Sequence, residues 1–481
     1  MKPKLVVALL AQSIGLFVVE PALAQGLTQP LNIQGLERPF FLSSRSRGMG
    51  GTATSSAGDA SAIFSNPAGL SAVQSLEFRA GASFTNTTLE QKGEWIPDRR
   101  YAGLSIMFEN DFTGIKDSAL QKPFDDILPG WEQTSSSSKP TMIAGAMPLE
   151  IGGMHAALAL GLFQAADLDY YYQNNNVLDP NIGAFRPEPI LAPQLGDTIG
   201  VQWFQSVSER SGTLYGITPG LSLEVSPGIS LGVAATITTG QSEDVEARID
   251  RGYLRIATSS SGSGNVFFVD PILNRISAVT TSEYSGVSFN LGALWRQEYF
   301  SIGLSVRPPF TTSRDWNRTV LADTTGRSTT LNESGSDELR YPIQYSVGMT
   351  IHATEAWDIS IDYRAESNSS VTYATSDSSF HPWVGGPAFR FGAEYRVSNW
   401  LSLRGGYREE VQTFSAEGSG LLTEPVRGST LSFGAGLTPG TFGIELAYEI
   451  GTLSYQDMWI SNVNTNTRTT HRLTCEFFIR I

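Results

Sequence analysis

Residues 357–364, WDISIDYR, put Trp357, Ile359, Ile361 and Tyr363 on one side of an extended chain and Asp358, Ser360, Asp362 and Arg364 on the other. A two-residue period is that of a β-strand with one face toward an apolar medium and the other toward something polar. The pattern recurs in FRFGAEYRV, where Phe389, Phe391, Ala393, Tyr395 and Val397 oppose Arg390, Glu394 and Arg396. Leu401, Leu403 and Tyr407 then oppose Arg404 and Arg408, and Phe442, Ile444, Leu446, Tyr448 and Ile450 oppose Glu445 and Glu449. The final segment sets Leu473, Cys475, Phe477, Ile479 and Ile481 against Arg472, Thr474, Glu476 and Arg480.

A soluble β-sandwich also alternates, so the connections decide. The turns at 151–153, 226–228, 297–298, 354–355, 398–399 and 438–440 are tight, whereas the links between successive hairpins are polar and mostly long. One short rim and one long rim is the asymmetry of an outer-membrane barrel. In hydrocarbon every backbone N–H and C=O needs a partner, and a sheet supplies them all only by joining its first strand to its last. The expectation is therefore a transmembrane antiparallel β-barrel that ends in a strand. Strands near 76–84, 140–149, 153–166, 213–225, 228–240, 283–295, 299–308, 342–353, 356–366, 387–397, 399–410, 428–437, 441–453 and 468–481 bring the count to fourteen. YAGLSIMF, 101–108, also reads as a strand; it is assigned to a long first loop near 87–139, with sixteen strands as the alternative. The inward charges Arg390, Glu394, Arg404, Arg408, Glu445, Glu449, Arg472 and Glu476 are expected to form cross-strand ion pairs, because an unpaired buried charge is expensive.

Lys2 and Lys4 precede an apolar run over 5–19, and Ala22-Leu23-Ala24 supplies a small-x-small cleavage pattern. Residues 1–24 thus read as a secretory signal peptide. No later run of about eighteen apolar residues offers a helical span. The outer membrane is the expected location. A net charge of −14 argues against a nucleic-acid partner, and Cys475, the only cysteine, leaves no disulfide framework or cysteine metal site.

Roughly fifty residues separate the cleavage site from the first strand by this strand reading, and they include the Gly/Ala/Ser-rich RSRGMGGTATSSAGDASAIFSNPAGL, 45–70. A fourteen-stranded barrel is too wide for wall side chains to fill. Residues 25–75 are accordingly read as a plug inside the lumen and 76–481 as the barrel.

The order Ser43-Ser44, Gly48-x-Gly50, Asp59-Ala60, then Asn66-Pro67-Ala68 directly before the first strand resembles the N-terminal hatch of the FadL/TodX family of outer-membrane transporters for hydrophobic compounds. KPTMIAGAMPLEIGG at 139–153 continues the likeness, and Arg307-Pro308-Pro309 does so weakly. The resemblance implies a fourteen-stranded barrel closed by a hatch, without energy source or cofactor. It implies capture of a compound such as a long-chain fatty acid at the outer loops, movement of the hatch, and lateral release beside a kinked third strand. Gly48, Gly50, Asp59, Asn66, Pro67 and Ala68 would belong to the hatch and its hinge, and Gly161 is the kink candidate on strand three, since glycine inside a strand often marks a bend. The implied surroundings are lipid, lipopolysaccharide and the barrel-assembly machinery, with the chain as a monomer. This chain departs from the pattern in the sixteen residues of 25–40 ahead of the hatch, in its long first loop, and in ending on Ile481 rather than an aromatic.

Phe267, Phe268, Ile272 and Leu273 form an apolar cluster in a polar stretch after the fifth strand and are the sequence's candidates for ligand capture. Gly48-Met49-Gly50-Gly51-Thr52-Ala53 has dinucleotide-loop spacing but neither the preceding strand nor the following helix. His155, His352, His381 and His471 lack metal-ligand spacing, and no triad pattern suggests an enzyme. The alternative to transport is a barrel of the same fold acting as a scaffold or as part of a secretion machinery.

Overall fold

The computed structural model describes residues 35–36, 41–56, 58–95, 130–182, 198–258, 265–270, 274–324, 327–365, 368–414, 426–459 and 462–481. The strands β1 (Glu77–Trp95), β2 (Trp131–Ile151), β3 (Met154–Asp167), β4 (Tyr170–Ile182), β5 (Thr198–Ser226), β6 (Ile229–Thr258) and β8 (Asn274–Arg296) build the first part of the wall, with β7 (Asn265–Asp270) pairing on β6 in line with β8. They are followed by β9 (Phe300–Arg307), β10 (Phe310–Thr324), β11 (Arg327–Tyr341), β12 (Gln344–His352) and β13 (Trp357–Ala365). Short β14 (Thr372–Ala374) pairs with β11 in line with β13, and β15 (Ser379–Phe380) pairs with β14 in line with β16 (Ala388–Ser398). The wall is completed by β16, β17 (Leu401–Val411), β18 (Arg427–Leu437), β19 (Phe442–Trp459) and β20 (Asn462–Arg480). Six staves are broken into two segments each: β3 with β4, β7 with β8, β9 with β10, β11 with β12, β13 with β14, and β15 with β16, so that fourteen antiparallel staves close the ring among the described residues.

Closure is a full ladder. β1 pairs with β20 from Glu77↔Arg480 to Trp95↔Asn462, and Leu76 and Ile481 exchange both backbone hydrogen bonds, at 3.1 and 2.8 Å. No sheet edge is left there to template association. The alternation seen in the sequence sorts cleanly. Phe389 and Phe391 are 45% and 46% exposed on the outer surface, while Arg390 and Glu394 on the same strand are each 4% exposed on the inside. The outward apolar residues Ile143, Leu160, Ile237, Phe289, Ile359 and Phe433 form a belt. Among the described residues no helix is long and apolar enough to cross a membrane.

The wall is taller than the alternation suggests. β5 and β6 run for 29 and 30 residues, where a tilted strand needs about 9–11 to span a bilayer. The expected loop after the fifth strand is instead the polar continuation of β6, with β7 and β8. The expected first loop is also shortened, because β1 continues to Trp95 and β2 begins at Trp131. The reason is that antiparallel pairing satisfies the backbone in water as well as in lipid, so Thr, Ser, Asn and Gln extend the ladder with no apolar period to announce it. By contrast β13, β16, β17 and β18 have only 9 to 11 residues. Residues 101–108, and with them the sixteen-strand alternative's extra strand, lie outside the described residues, as does the cleavage region 1–24.

Leu160 is 59% exposed in mid-strand on β3. Leu160→Arg is expected to destabilise the barrel in lipid vesicles by about 2–4 kcal/mol, measured by reversible urea unfolding.

Candidate functional site: the hatch and the wall that seats it

Residues 41–56 and 58–73 lie against the wall strands and include α1 (Ser44–Gly48), α2 (Ala62–Ser65) and a 3-10 helix (Pro67–Ala72). These helices are too short to stand alone; the wall holds them. Ser43 caps α1 by accepting from the Ser46 N–H, and Pro67 opens the 3-10 helix where its missing N–H costs nothing. Small residues let backbone meet backbone. Gly50, at φ +67°, lies where an added Cβ would be 2.3 Å from the Phe391 carbonyl oxygen. The wall answers with glycines of its own. A Cβ on Gly406 would fall 2.0 Å from the Gly50 nitrogen, and one on Gly232 would fall 2.3 Å from the Ala68 nitrogen. Gly48 packs in the same way on Gly434.

Charge fixes what shape positions. Between residues 41 and 73 the only cations are Arg45 and Arg47 and the only anion is Asp59, and each finds a partner on the wall. Arg45 donates to Glu394 at 3.1 Å, and Glu394 also binds Arg404 at 2.5 Å; Arg404 continues to Glu445. Arg47 donates to Glu449 at 2.8 Å, which also binds Arg408. Asp59 pairs with Arg79 at 3.1 Å, and Arg79 also binds Glu77 at 2.6 Å and approaches Glu476 at 3.6 Å. Burial alone would push the Asp59 carboxyl up; Arg79, the Ser61 hydroxyl and Arg45 outweigh it and hold it below the usual carboxylate range. Glu476 accepts from the Ser44 N–H at 2.5 Å, and Asp362 accepts from the Ala53 and Thr54 N–H groups at 2.9 Å each. Arg472 donates instead to the Thr85 hydroxyl at 3.1 Å.

Asn66 is a three-way tie: its amide donates to the Thr54 and Ala293 carbonyls, at 2.6 and 3.2 Å, and its side-chain oxygen accepts from the Ala68 N–H. It joins the two halves of the hatch to β8.

At the boundary of hatch and wall, Phe41, Phe64 and Phe163 cluster with ring centroids 4.6 to 5.9 Å apart. Beside them is a cavity of about 40 Å³, lined among others by Phe41, Phe64, Asn290, Arg307, Arg364 and Arg390. Ligand pockets usually hold several hundred Å³, so this cavity is too small for a ligand as it stands. The same buried cluster extends to Tyr341 and Trp383: Phe310 stacks on Tyr341 at 4.4 Å, Trp383 is 6.2 Å from Tyr341, and the Tyr341 hydroxyl donates to the Leu36 carbonyl at 2.7 Å.

Gly161 is not the break in strand three. It keeps regular pairing with Ala144 and Thr218, and its missing side chain makes room for Phe64, whose ring an added Cβ would meet at 2.4 Å. The register shift falls between Gln164 and Ala166, and the stave is interrupted between Asp167 and Tyr170, where β3 gives way to β4. From there outward the described ladder has a seam: β2 pairs with β3 only from Ile151↔Met154 to Met142↔Phe163, while β4 pairs with β5. Phe267 and Phe268 lie on β7, paired with Ile256 and Arg255 of β6; Ile272 and Leu273 lie outside the described residues.

Sequence reasoning missed Arg45, Arg47, Arg79 and Asp362 as hatch anchors. The available signal was that three charges alone interrupt a run otherwise made of small, apolar and uncharged polar residues. It also missed a Ser301–His352–Asp358 line, with Ser301 Oγ 3.0 Å from His352 Nε2 and His352 Nδ1 2.7 Å from Asp358. Ser301 is 1% exposed and Asp358 also holds Arg396 at 2.7 Å, so the line is a cross-strand polar ladder with no opening for a substrate.

The sequence matches no family model and no curated protein. Solved structures match the fold. A FadL homologue of Pseudomonas aeruginosa aligns over 95% of this chain and 99% of its own, at 12% identity and a TM-score of 0.61. The Pseudomonas putida toluene transporter TodX aligns over 92% and 99%, at 13% identity and 0.54. The Ralstonia pickettii toluene transporter TbuX aligns over 92% and 99%, at 13% identity and 0.51. At these identities the likeness is one of architecture: the chain has the fold of the FadL/TodX barrels.

Arg79→Met removes the cation from three carboxylates and is expected to cost about 3–5 kcal/mol. Hydrogen exchange should show residues 58–65 losing protection while the strands of the belt keep theirs.

Proposed function

We propose that the protein is an outer-membrane channel for the passive uptake of hydrophobic compounds such as long-chain fatty acids. The observation that carries this reading is a closed barrel with an apolar outer belt whose lumen is stoppered by its own N-terminal segment, with aromatic rings gathered where stopper meets wall. A hydrophilic pore would need none of these apolar linings. Among the neighbours in fold, two are toluene transporters, and they support the same class of ligand.

In this mechanism the compound is captured at the outer loops and passes inward along the buried Tyr341 and Trp383 rings, against which Phe310 packs. It then moves to the Phe41–Phe64–Phe163 cluster as the hatch shifts. Arg307, Arg364 and Arg390 border that cluster and suit a carboxylate head on an apolar tail. Release is sideways, through the seam beside the broken third stave, into the hydrocarbon rather than into water. The hatch needs to move only locally, because wholesale removal would strip Arg45, Arg47 and Arg79 of their carboxylates.

The firmness of those ion pairs is also the one observation favouring the second reading, a permanently closed barrel serving as a scaffold or secretion component. Uptake of radiolabelled oleate and toluene by cells with and without the gene separates the two. The channel reading expects gene-dependent uptake of at least one compound, and equal uptake of both in both strains would leave the scaffold.

Gly232→Leu fills the seat of Pro67 and Ala68. It is expected to displace that half of the hatch and to raise single-channel conductance in planar bilayers from near silence to resolvable openings.

A further inference from the structure

Two features end the β2–β3 ladder where it ends. Pro140 brings a residue without an N–H into β2, and between Gly81 and Ala82 the pairing of β1 skips Thr141, leaving a bulge. On the other side, the shift between Gln164 and Ala166 and the interruption after Asp167 turn β4 onto β5 alone. Among the described residues, two neighbouring staves thus run on side by side without a backbone ladder between them. Directly behind lie Leu168, at 0% exposed, and the aromatic cluster with Phe163.

One cation crosses this seam. Lys139 on β2 reaches Asp167 and Asp169 at 2.7 Å each and donates to the Gly212 carbonyl at 3.4 Å. The carboxylates are held ready for it: the Leu168 N–H donates to the Gly212 carbonyl, and the Gly212 N–H donates to Asp169, both at 3.1 Å. The ammonium therefore gathers the end of β3, the break itself and β5 onto β2. Farther out, Trp131 meets Tyr171 edge to face at 5.7 Å. A backbone ladder would close the same gap permanently; an ammonium on a four-carbon stem can let go and rebind without unfolding a strand.

We infer that Lys139, with Asp167 and Asp169, is the latch of the lateral opening. The inference rests on the transport reading above and adds the group that regulates it. A closed latch keeps the apolar interior sealed from lipid, and its release lets an apolar molecule slip between β2 and β4. The latch governs rate of passage and leaves the affinity of the lumen for its ligand unchanged.

The test uses the full-length protein in proteoliposomes, with transfer of radiolabelled oleate into acceptor vesicles as the readout and oleate binding to the same protein in detergent as the companion. The variants are Lys139→Met and the pair Asp167→Asn with Asp169→Asn, with Lys92→Met as control, since Lys92 lies 72% exposed on the outer extension of β1. Heat-modifiable mobility on a gel certifies each barrel as folded. Both latch variants are expected to transfer oleate about fivefold faster, the factor that corresponds to losing about 1 kcal/mol of ion pairing, with binding unchanged and the control at the native rate. A bulky maleimide on Lys139→Cys, in a Cys475→Ser background, is expected to slow transfer below that of the unlabelled variant. Native-rate transfer by both latch variants, with the native protein active, would overturn the latch and leave transport standing. If the native protein moves no oleate at all, the transport reading falls and takes the latch with it. Should Lys139→Met fail to fold, the carboxamide pair decides.

Discussion

A backbone amide in hydrocarbon has no water to turn to, and the rest of this molecule follows from that. The sheet closes on itself through β1 and β20, and the chain's last residue exchanges hydrogen bonds with Leu76 just ahead of the first strand. Closure at fourteen staves then creates a second problem, a lumen wider than wall side chains can fill. The N-terminal segment answers it. Because that segment must lie against a wall whose inner face carries full charges, it brings just three of its own, and all three are spent on neutralising wall carboxylates and Arg79.

The hatch is held by two kinds of complementarity with different ranges. Wall glycines such as Gly232 and Gly406 accept hatch backbone at distances that no side chain would allow, which sets position to a fraction of an ångström. The networks around Arg45, Arg47 and Arg79 act over a longer range and tolerate small displacements. A segment tied in this way can shift by local rearrangement at one seat while its charges stay paired at another. Asn66, bonded both within the hatch and to β8, lies where such a shift would be felt by both halves.

The fold was legible because lipid imposes a two-residue period on every stave, and Phe389-Arg390-Phe391 shows it without help. Legibility stopped where that pressure stopped. The polar outer reaches of β5 and β6 pair in water, where nothing requires alternation, so they looked like loops. Gly161 was legible as special but not as to why: the sequence says that a side chain is missing, and only the structure says that Phe64 needs the space. The run of small residues pointed to a plug, whereas its partners could not be read, since Arg45 and Glu394 are brought together by closure of the ring and by nothing local. Lys139 likewise meets Asp167 and Asp169 only because a ladder fails between them.

Strand length gives the barrel a slanted crown. A 30-residue stave such as β6, at about 3.3 Å per residue and a tilt near 40°, climbs about 75 Å, while an 11-residue stave such as β17 climbs about 28 Å, hardly more than the hydrocarbon itself. Among the described residues the regular ladder therefore reaches far higher over β5 and β6 than over β17 and β18, about halfway round the circumference. On the transport reading proposed above, a greasy molecule drifting just above the bilayer would find its threshold on the low flank, and the broken stave beside Lys139 stands across the bore from it. Traffic through such a vessel would run diagonally, in over the sill and out through the opposite wall, rather than straight down the axis.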